Sequence, residues 1–365
     1  MKLGIDIGST SLKGVLLNAK NEILFKKYMR HHASIIPTLL DFLEAMEPII
    51  KTEKFQIVFT GSIGMGISER LQLTFVQEVI ASIAFIQENY PEVQTFIDIG
   101  GEDSKMIFFS ENRQPDIRMN GSCAGGTGAF IDQMSTLLGI PMEEIDEYAA
   151  KAETIYPIAS RCGVFAKTDV QNLVANNVDR PTIVGSVFHS LALQVITSLS
   201  RGYKVIPPLF FSGGPFAYLP HLKKTFLKIL QFDESEVISY ENPELVPAYG
   251  AALSANAKTP YTSLSELKAL IQKLNEQKLD TTSNLPVLFH SKEEFADWQK
   301  EKQNCPIKKC EPNRKNEHYF LGIDSGSTTT KIVIINEKKE IVYSYYDKNV
   351  GDSISTFTDG IQDFQ

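Results

Sequence analysis

The chain has 365 residues, 43 % of them hydrophobic and 22 % charged, which is enough for one large two-lobed domain with additional segments. Its formal net charge of −8 argues against nucleic acid as a main partner, because a phosphate backbone attracts clustered Lys and Arg. The N-terminus enters a strand without an apolar signal core, and no apolar run approaches the ~20 residues of a membrane span. We therefore expect a cytoplasmic protein with no membrane or nucleic-acid partner.

Strand-like and helical segments alternate over residues 1–257. We predict strands in 3–10, 13–18, 22–28, 56–62, 95–99, 105–109 and 208–214, and helices in 37–50, 76–88, 129–175, 181–201 and 242–255. This alternation is typical of a layered α/β domain.

Residues 258–317 have a different character, polar and interrupted by proline. Ser263 with Glu266, and Ser291 with Glu294, form capping-box patterns ahead of short apolar stretches. We interpret this segment as a partly helical connector between two domains.

The opening segment occurs twice. Residues 322–331 (GIDSGSTTTK) repeat residues 4–13 (GIDIGSTSLK) at a constant offset of 318, and 13 of the 25 positions from 4 to 28 are identical in the second copy. We predict that residues 318–365 are the first strands of a second, truncated domain. Because a two-stranded hairpin is marginally stable alone, we expect this tail to bury no core of its own, and to be either poorly ordered or held by contacts with the first domain or a neighbouring molecule.

Three glycine turns follow apolar strands, and two of them come directly after an aspartate. They are Asp6-x-Gly8-Ser9-Thr10, Asp98-x-Gly100-Gly101-x-Asp103 and Gly213-Gly214. Glycine lets backbone amides approach an anion, and carboxylates suit hydrated Mg²⁺ and the orientation of an attacking water. The Walker pattern GxxxxGK[ST] is absent from the sequence, which excludes a P-loop. The alternative is that these are ordinary hairpin turns with Asp6 and Asp98 as turn caps.

From these turns we select candidate site residues. The candidate catalytic residues are Asp6, Asp98, Glu102 and Asp103. The candidate nucleotide-binding residues are Gly8, Ser9, Thr10, Lys13, Gly100, Gly101, Gly126, Gly213 and Gly214.

The order of GIDIGST, FIDIGGEDSK, FFSGGP and AYGAAL resembles the ATPase superfamily of actin, sugar kinases and heat-shock chaperones. The resemblance covers residues 3–257. It implies a two-lobed, actin-like (ribonuclease H-like) α/β fold, with ATP and Mg²⁺ in the cleft between the lobes.

Two of the four cysteines, Cys123 and Cys162, stand among Gly, Ser and Arg ahead of helical runs. Backbone amides and a helix N-terminus lower the pKa of a thiol and favour metal ligation. Burial in a core is the usual alternative for an isolated cysteine, but these loop-like surroundings do not favour it.

The segments NGSCAGGTGAF (120–130) and SRCGVFAKTDVQNL (160–173) resemble the cluster-ligand segments of the 2-hydroxyacyl-CoA dehydratase activators, relatives of the ATPase subunits of benzoyl-CoA reductase. The resemblance implies one [4Fe–4S] cluster shared across a dimer, with Cys123 and Cys162 as ligands from each subunit. It also implies that ATP hydrolysis drives an electron from reduced ferredoxin or flavodoxin to a dehydratase or a related iron-sulfur acceptor. The connector and the second start resemble long tandem forms, in which the dimer is a pseudo-dimer within one chain.

The remaining thiols and the histidines are weaker candidates. Cys305 and Cys310 lie in a Lys-rich connector at a spacing that fits no common zinc or cluster pattern, and we interpret them as linker thiols. The six histidines show no ligand spacing, and we place His31 and His32 on the surface.

Two other functions remain open at this point. One is a small-molecule kinase of the same superfamily, for a sugar or amino sugar, with Asp98 or Asp103 as the base. The other is a non-catalytic, nucleotide-dependent interaction module. Neither has a use for Cys123 and Cys162, so iron and sulfide analysis would separate them from the activator.

Overall fold

The computed structural model describes residues 1–110, 113–120, 125–160, 162–276, 287–303, 307–312, 318–326, 329–348 and 353–364. Its contacts divide the chain into two compact units, Met1–Leu279 and Asp280–Gln365.

The first unit contains two lobes. The elements of the first lobe are β1 (Lys2–Ile7), β2 (Ser11–Leu17), β3 (Ile23–Arg30), α1 (Ile35–Ile50), β4 (Phe55–Thr60), α2 (Ser62–Leu71), β5 (Thr74–Phe75) and α3 (Glu78–Asn89). Those of the second lobe are β6 (Thr95–Ile99), β7 (Ser104–Phe108), β8 (Asp116–Asn120), α4 (Gly128–Leu138), α5 (Ile145–Ala150), α6 (Gly163–Ala175), α7 (Arg180–Ser200), β9 (Leu209–Ser212), α8 (Gly214–Tyr218), α9 (Pro220–Leu230), β10 (Val237–Ile238) and α10 (Val246–Leu253). The chain then returns to the first lobe with β11 (Tyr261–Thr262) and α11 (Leu264–Glu276).

The two lobes have sheets of the same topology. In the first, the strand order is β11-β4-β1-β2-β3, with β5 also paired to β4; in the second it is β10-β9-β6-β7-β8. In each sheet the first strand of the lobe pairs antiparallel with the next strand and parallel with the fourth. The prediction of a two-lobed α/β fold is confirmed, although the short, polar strand β8 was not predicted.

Helices α3 and α10 pack against each other between the two sheets. A Cβ on Gly250 would overlap the backbone carbonyl of Ala81, so only glycine permits this close crossing. Around the crossing, side chains from both sheets form one apolar cluster that includes Val15, Phe96 and Phe210. The two lobes are therefore joined by a buried core beneath the cleft.

Helices α7 and α11 differ from the sequence predictions in ways that affect the domain organisation. Helix α7 is long and apolar enough to cross a membrane, contrary to our expectation, but it is mostly buried as a core helix of the second lobe. Helix α11, which we assigned to the connector, contributes Leu267 and Ile271 to the core of the first lobe. The first unit consequently extends past residue 257, where the sequence pattern placed its end.

The second unit contains α12 (Lys292–Gln303), β12 (Tyr319–Ser325), β13 (Thr329–Asn336), β14 (Ile341–Lys348) and α13 (Ser353–Phe364). Its sheet repeats that of β1, β2 and β3 residue for residue. Gly322 pairs with Val333 as Gly4 pairs with Val15, and a bulge follows Ile334 as one follows Leu16. Helices α1 and α13 also begin 318 positions apart. The sequence repeat is therefore also a structural repeat.

The two copies bury their strands differently. In the first, Leu3 and Ile5 of β1 are 0 % exposed, whereas their equivalents in β12, Leu321 and Ile323, are 50 % and 47 % exposed. Ile332 of β13 is nevertheless completely buried, and α13 packs on this strand. The expectation that the tail buries no core was thus wrong, because α13 supplies a cover on one side of its sheet.

The two copies differ at one contact between a strand and a helix, where the large and the small residue are interchanged. In the first copy, Gly14 of β2 faces the ring of Phe42 on α1, and a Cβ on Gly14 would overlap that ring. In the second copy the equivalent positions hold Ile332 on β13 and Gly360 on α13. A Cβ on Gly360 would lie 2.7 Å from the Cδ1 of Ile332. The strand carries the small residue in one copy, and the helix carries it in the other.

Candidate active site

The β1–β2 and β6–β7 hairpins have the same geometry where they turn. The amide of Gly8 donates to the carbonyl of Ser11 at 3.0 Å, and the amide of Gly100 donates to the carbonyl of Asp103 at 2.9 Å. The two turns face each other, since a Cβ on Gly101 would lie 2.8 Å from the Oγ1 of Thr10. The sequence thus brings two glycine turns together across the cleft.

Two cavities lie at this junction. The smaller, of about 240 Å³, is lined by nine of the predicted site residues and by three others, Ser11, Ser62 and Glu78. The predicted residues are Asp6, Gly8, Ser9, Thr10, Lys13, Gly100, Gly101, Glu102 and Asp103 from the two hairpins, and Asp98 lines the adjoining cavity.

The larger cavity has a volume of about 650 Å³ and shares Thr10, Lys13, Gly100 and Gly101 with the smaller one. It adds Gly213 and Gly214 and has apolar walls that include Pro215 and Tyr218. This volume is in the range of small-molecule sites in proteins. Gly126 lines neither cavity and lies instead against Gln194 and Val195 of α7.

Asp6 lines the smaller cavity, and one oxygen of its buried carboxylate has no hydrogen-bond partner among the described residues. Its side chain is 1 % exposed, Oδ2 accepts from the Nζ of Lys13 at 2.8 Å, and buried Oδ1 makes no hydrogen bond. Burial raises the pKa of Asp6 above its ordinary value, while Lys13 opposes the shift. A buried, unpaired carboxylate oxygen is costly unless a ligand satisfies it, and hard oxygen donors suit Mg²⁺. The carboxylates that line this cavity are therefore of the donor type that suits a hydrated magnesium ion.

The sequence analysis missed two residues of this site, Lys105 and Glu78. Lys105 lies opposite Asp98 in the β6–β7 register, as Lys13 lies opposite Asp6 in β1–β2. The shared spacing, an Asp followed seven positions later by a Lys, was a signal for Lys105. No such signal existed for Glu78, which lines the smaller cavity from the N-terminus of α3.

The third glycine turn also has a counterpart that was missed. Gly213 precedes α8 with φ of 99°, and Gly61 precedes α2 with φ of 89°. A Cβ on Gly213 would overlap the carbonyl oxygen of Ile99, and one on Gly61 would overlap Oδ1 of Asp6. Both positions need glycine because a strand end and a helix N-terminus meet the neighbouring turn.

His31 is a buried residue, contrary to the prediction that it lies on the surface. It is 3 % exposed, its Nδ1 accepts from the amide of Ala33 at 3.2 Å, and its Nε2 faces the carbonyl of Gly8 at 3.0 Å. The acceptor role of Nδ1 leaves Nε2 as the donor to the carbonyl of Gly8, so the imidazole ring supports the first glycine turn.

Cys162 lies on the second lobe, immediately before α6. It is half-buried, and the next side chains on the helix, Val164 and Phe165, are exposed. A Cβ on Gly163 would lie 3.3 Å from the amide nitrogen of Gly125, so this turn contacts the chain close to Cys123. Cys123 itself is outside the described residues.

The connector cysteines give no support for a metal site. Cys305 lies outside the described residues, and Cys310 of the second unit is half-buried, with its Sγ accepting from Asn336 at 3.3 Å. Within the described ranges no group of three or more His, Cys, Asp or Glu side chains is arranged to hold a metal ion.

Comparisons with known proteins agree with this architecture. The sequence profile described as the BadF/BadG/BcrA/BcrD ATPase family matches residues 3–255. The chain is 28 % identical over 213 residues to the (R)-2-hydroxyglutaryl-CoA dehydratase activating ATPase of Acidaminococcus fermentans, an alignment that covers 58 % of this chain and 82 % of the relative.

Two solved structures have the same fold. The crystal structure of component A of the Acidaminococcus fermentans (R)-2-hydroxyglutaryl-CoA dehydratase matches with a TM-score of 0.63 at 26 % identity, covering 70 % of this chain and 96 % of that one. The activator of the 2-hydroxyisocaproyl-CoA dehydratase from Clostridium difficile, with bound ADPNP, matches with a TM-score of 0.57 at 26 % identity, covering 76 % and 98 %.

Proposed function

Because the chain belongs to the BadF/BadG/BcrA/BcrD ATPase family, we propose that it hydrolyses ATP to drive low-potential electron transfer in the cytoplasm to a 2-hydroxyacyl-CoA dehydratase or a related reductase. The observation that carries the proposal is the meeting of two Asp-bearing glycine turns, one from each lobe, at the smaller cavity; the second lobe also carries Cys162 at the start of α6. The acceptor is proposed by analogy with relatives named as dehydratase activators.

We propose that different parts of the nucleotide bind in the two cavities. We place the terminal phosphates in the smaller cavity, where Gly8 and Gly101 let backbone amides and the hydroxyls of Ser9 and Thr10 approach them. The nucleoside occupies the larger cavity, against the apolar side chains beside Gly213. Such a division requires the two lobes to contact the same ligand.

We assign magnesium binding and the activation of water to different carboxylates. Asp6 Oδ1 would hold the magnesium shell, and bound Mg²⁺ would neutralise phosphate charge. Asp98 and Asp103, from the opposite hairpin, are placed to orient the attacking water and accept its proton. Lys13 keeps Asp6 in place through its 2.8 Å ion pair.

We further propose that Cys123 and Cys162 are cluster ligands. A [4Fe–4S] cluster takes four thiolates, so two copies of this pair are needed, from a homodimer or from a tandem pseudo-dimer. Support comes from the contact of Gly163 with Gly125, which brings the two cysteine-bearing segments together. The exposed side chains of Val164 and Phe165 are suited to a protein contact at the same place. Reduced ferredoxin or flavodoxin is the proposed electron donor.

Iron content after anaerobic purification tests the cluster. The unmodified chain should be brown and contain iron and acid-labile sulfide, and Cys162→Ser should lose both because a serine oxygen is a poor cluster ligand. Cys310→Ser is the matched control and should keep them. If Cys162→Ser retains iron while Cys310→Ser loses it, the ligand assignment is reversed.

The second unit, we propose, is the start of another domain of the same fold. In the first unit, α10 lies on Gly4 and β4 pairs with β1, whereas among the described residues Gly322 has only the carbonyl oxygen of Val333 within 4 Å of an added Cβ. The exposed Leu321 and Ile323 are thus a surface that a strand and a small-residue helix would cover. Proteolysis within 303–330 should release the first unit with ATP binding unchanged. A chain cut there that no longer binds ATP would contradict the proposal.

A further inference from the structure

A single buried lysine contacts carboxylates from both lobes, and each of these carboxylates belongs to a residue that lines one of the two cavities. The side chain of Lys105 is 1 % exposed, and its Nζ lies 2.9 Å from Asp103, 3.0 Å from Glu78 and 3.3 Å from Asp98. An ammonium group has three N–H donors, so each carboxylate can receive one. Asp98 and Asp103 belong to the second-lobe hairpin, whereas Glu78 is the first residue of α3 in the first lobe. The Glu78–Lys105 contact therefore crosses between the lobes.

The other ion pairs that cross the cleft, within the part of the chain that the structure describes, are long and exposed. Arg30 and Asp132 are 4.0 Å apart, and Lys26 and Glu241 are 3.8 Å apart, with side chains at least 39 % exposed. Exposed pairs of this kind contribute about 0–1 kcal/mol each. The Glu78–Lys105 pair, in which Lys105 is buried and Glu78 is 24 % exposed, is consequently the link between lobes that water screens least among these ion pairs.

The pair is ionised at neutral pH. Burial alone would raise the pKa of Glu78, but the ammonium groups of Lys105 and Lys13 lower it below its ordinary value. Burial would likewise lower the pKa of Lys105, but Glu78, Asp98 and Asp103 raise it well above its ordinary value. Withdrawal of any one carboxylate therefore changes the charge balance that holds the other two.

We propose that Glu78 is a positioning residue of the ATPase site, which acts through Lys105 to hold Asp98 and Asp103 in their working orientation only while the lobes are closed. Opening of the cleft would draw α3 away from the β6–β7 hairpin and free one donor of Lys105. That donor would then compete for the oxygens of Asp98 and Asp103 that face the phosphates. The proposal rests on ATP hydrolysis in the proposed function and is independent of the cluster.

The first test is the kinetics of Glu78→Gln, which keeps the shape of the side chain and removes its charge. We expect kcat for ATP hydrolysis to fall about ten- to a hundredfold while KM changes less than about threefold, because only the orientation of the reacting groups is lost. Glu88→Gln, on the exposed face of the same helix, is the control and should match the unmodified chain. Unchanged turnover in Glu78→Gln would overturn the proposal.

A double-mutant cycle decides whether Glu78 acts through Lys105 or directly on the nucleotide. In a Lys105→Met background, Glu78→Gln should have little further effect on kcat, because the group it acts through is gone. If the two losses instead multiply, Glu78 contacts the reacting groups itself and the positioning role is wrong.

The exchange rate of a fluorescent ADP provides a second measurement, which decides the matter if Lys105→Met does not fold. Glu78→Gln should release N-methylanthraniloyl-ADP several-fold faster, since the lobes open more readily; an unchanged release rate would refute the cross-lobe link. These measurements need no iron. A chain without a cluster but with the expected kinetics would contradict the electron-transfer function and leave this inference standing.

Discussion

Gly4 and Gly322 are equivalent positions in the two copies of the opening hairpin, but Gly4 is closely covered by other backbone atoms and Gly322 is not. The two glycines therefore provide a matched pair of substitutions. A Cβ on Gly4 would overlap the carbonyl oxygen of Ala248 and lie 2.5 Å from the amide nitrogen of Ala252, both backbone atoms of α10. A Cβ on Gly322 would meet nothing closer than 3.8 Å. Gly4→Ala must therefore displace α10 from the sheet, whereas Gly322→Ala displaces nothing.

The expected magnitudes follow from these distances. Overpacking against backbone that cannot rotate away costs about 3 kcal/mol, the upper part of the usual range, so Gly4→Ala should lower the Tm of the first unit by roughly 6–12 °C. Gly322→Ala replaces a strand glycine with a residue of less backbone freedom and should be neutral or stabilise the second unit by about 0.5–1 kcal/mol. Since α10 lies beneath the cleft, Gly4→Ala should also weaken ADP binding.

Differential scanning calorimetry with and without ADP measures both effects, and the unmodified chain is the reference. The transition that ADP shifts belongs to the first unit, which identifies it without dissecting the chain. If Gly322→Ala destabilises the chain as much as Gly4→Ala, the two hairpins have equivalent surroundings, and the account of an uncovered β12 is wrong.

Two further predictions concern the charged groups of the hairpins. Asp98→Asn should lower ATP turnover about a hundred- to a thousandfold and change ADP affinity by no more than a few-fold, because the carboxylate acts as charge develops in the transition state. Asp116→Asn on β8 is the control and should leave turnover unchanged. An Asp98→Asn variant with unchanged turnover would refute the catalytic role of Asp98. Lys13→Met should lower the free energy of unfolding by about 3–5 kcal/mol, because it leaves Asp6 buried without its partner. Lys331→Met removes the equivalent but exposed pair of the second unit and should lower it by less than about 1 kcal/mol. Urea titration measures both losses, and equal losses would contradict the role of burial.

The residues of the glycine turns that sequence reasoning identified share one property: each lies within a few positions of the end of an apolar strand. Gly8, Thr10 and Gly100 follow apolar strands at short spacing, and a strand that ends in a glycine turn is visible in the letters alone. That the turns at Gly8 and Gly100 face each other was inferred from the similarity of their sequences. Their approach near Thr10 and Gly101 is a property of the assembled lobes.

The residues that were missed depend on contacts between distant segments. Glu78 lies in an ordinary amphipathic helix, and only the packing of α3 against α10 brings it within 3.0 Å of Lys105. The membership of α11 in the first unit was missed for the same reason. Its apolar face is visible in the sequence, but the surface it covers belongs to α1, more than 200 residues earlier.

The exchange of Gly14 and Phe42 for Ile332 and Gly360 has a consequence for assembly. Two segments of one chain with so many identical residues risk pairing with each other's helices while the chain folds. A helix α13 placed on β2 would set glycine against glycine and leave a cavity the size of a phenyl ring, at a cost of about 3–5 kcal/mol. A helix α1 placed on β13 would force Phe42 against Ile332. A cavity thus disfavours α13 on β2, and a steric clash disfavours α1 on β13. The two substitutions therefore favour the pairing of each strand with the helix of its own repeat and disfavour a swap of helices between the repeats.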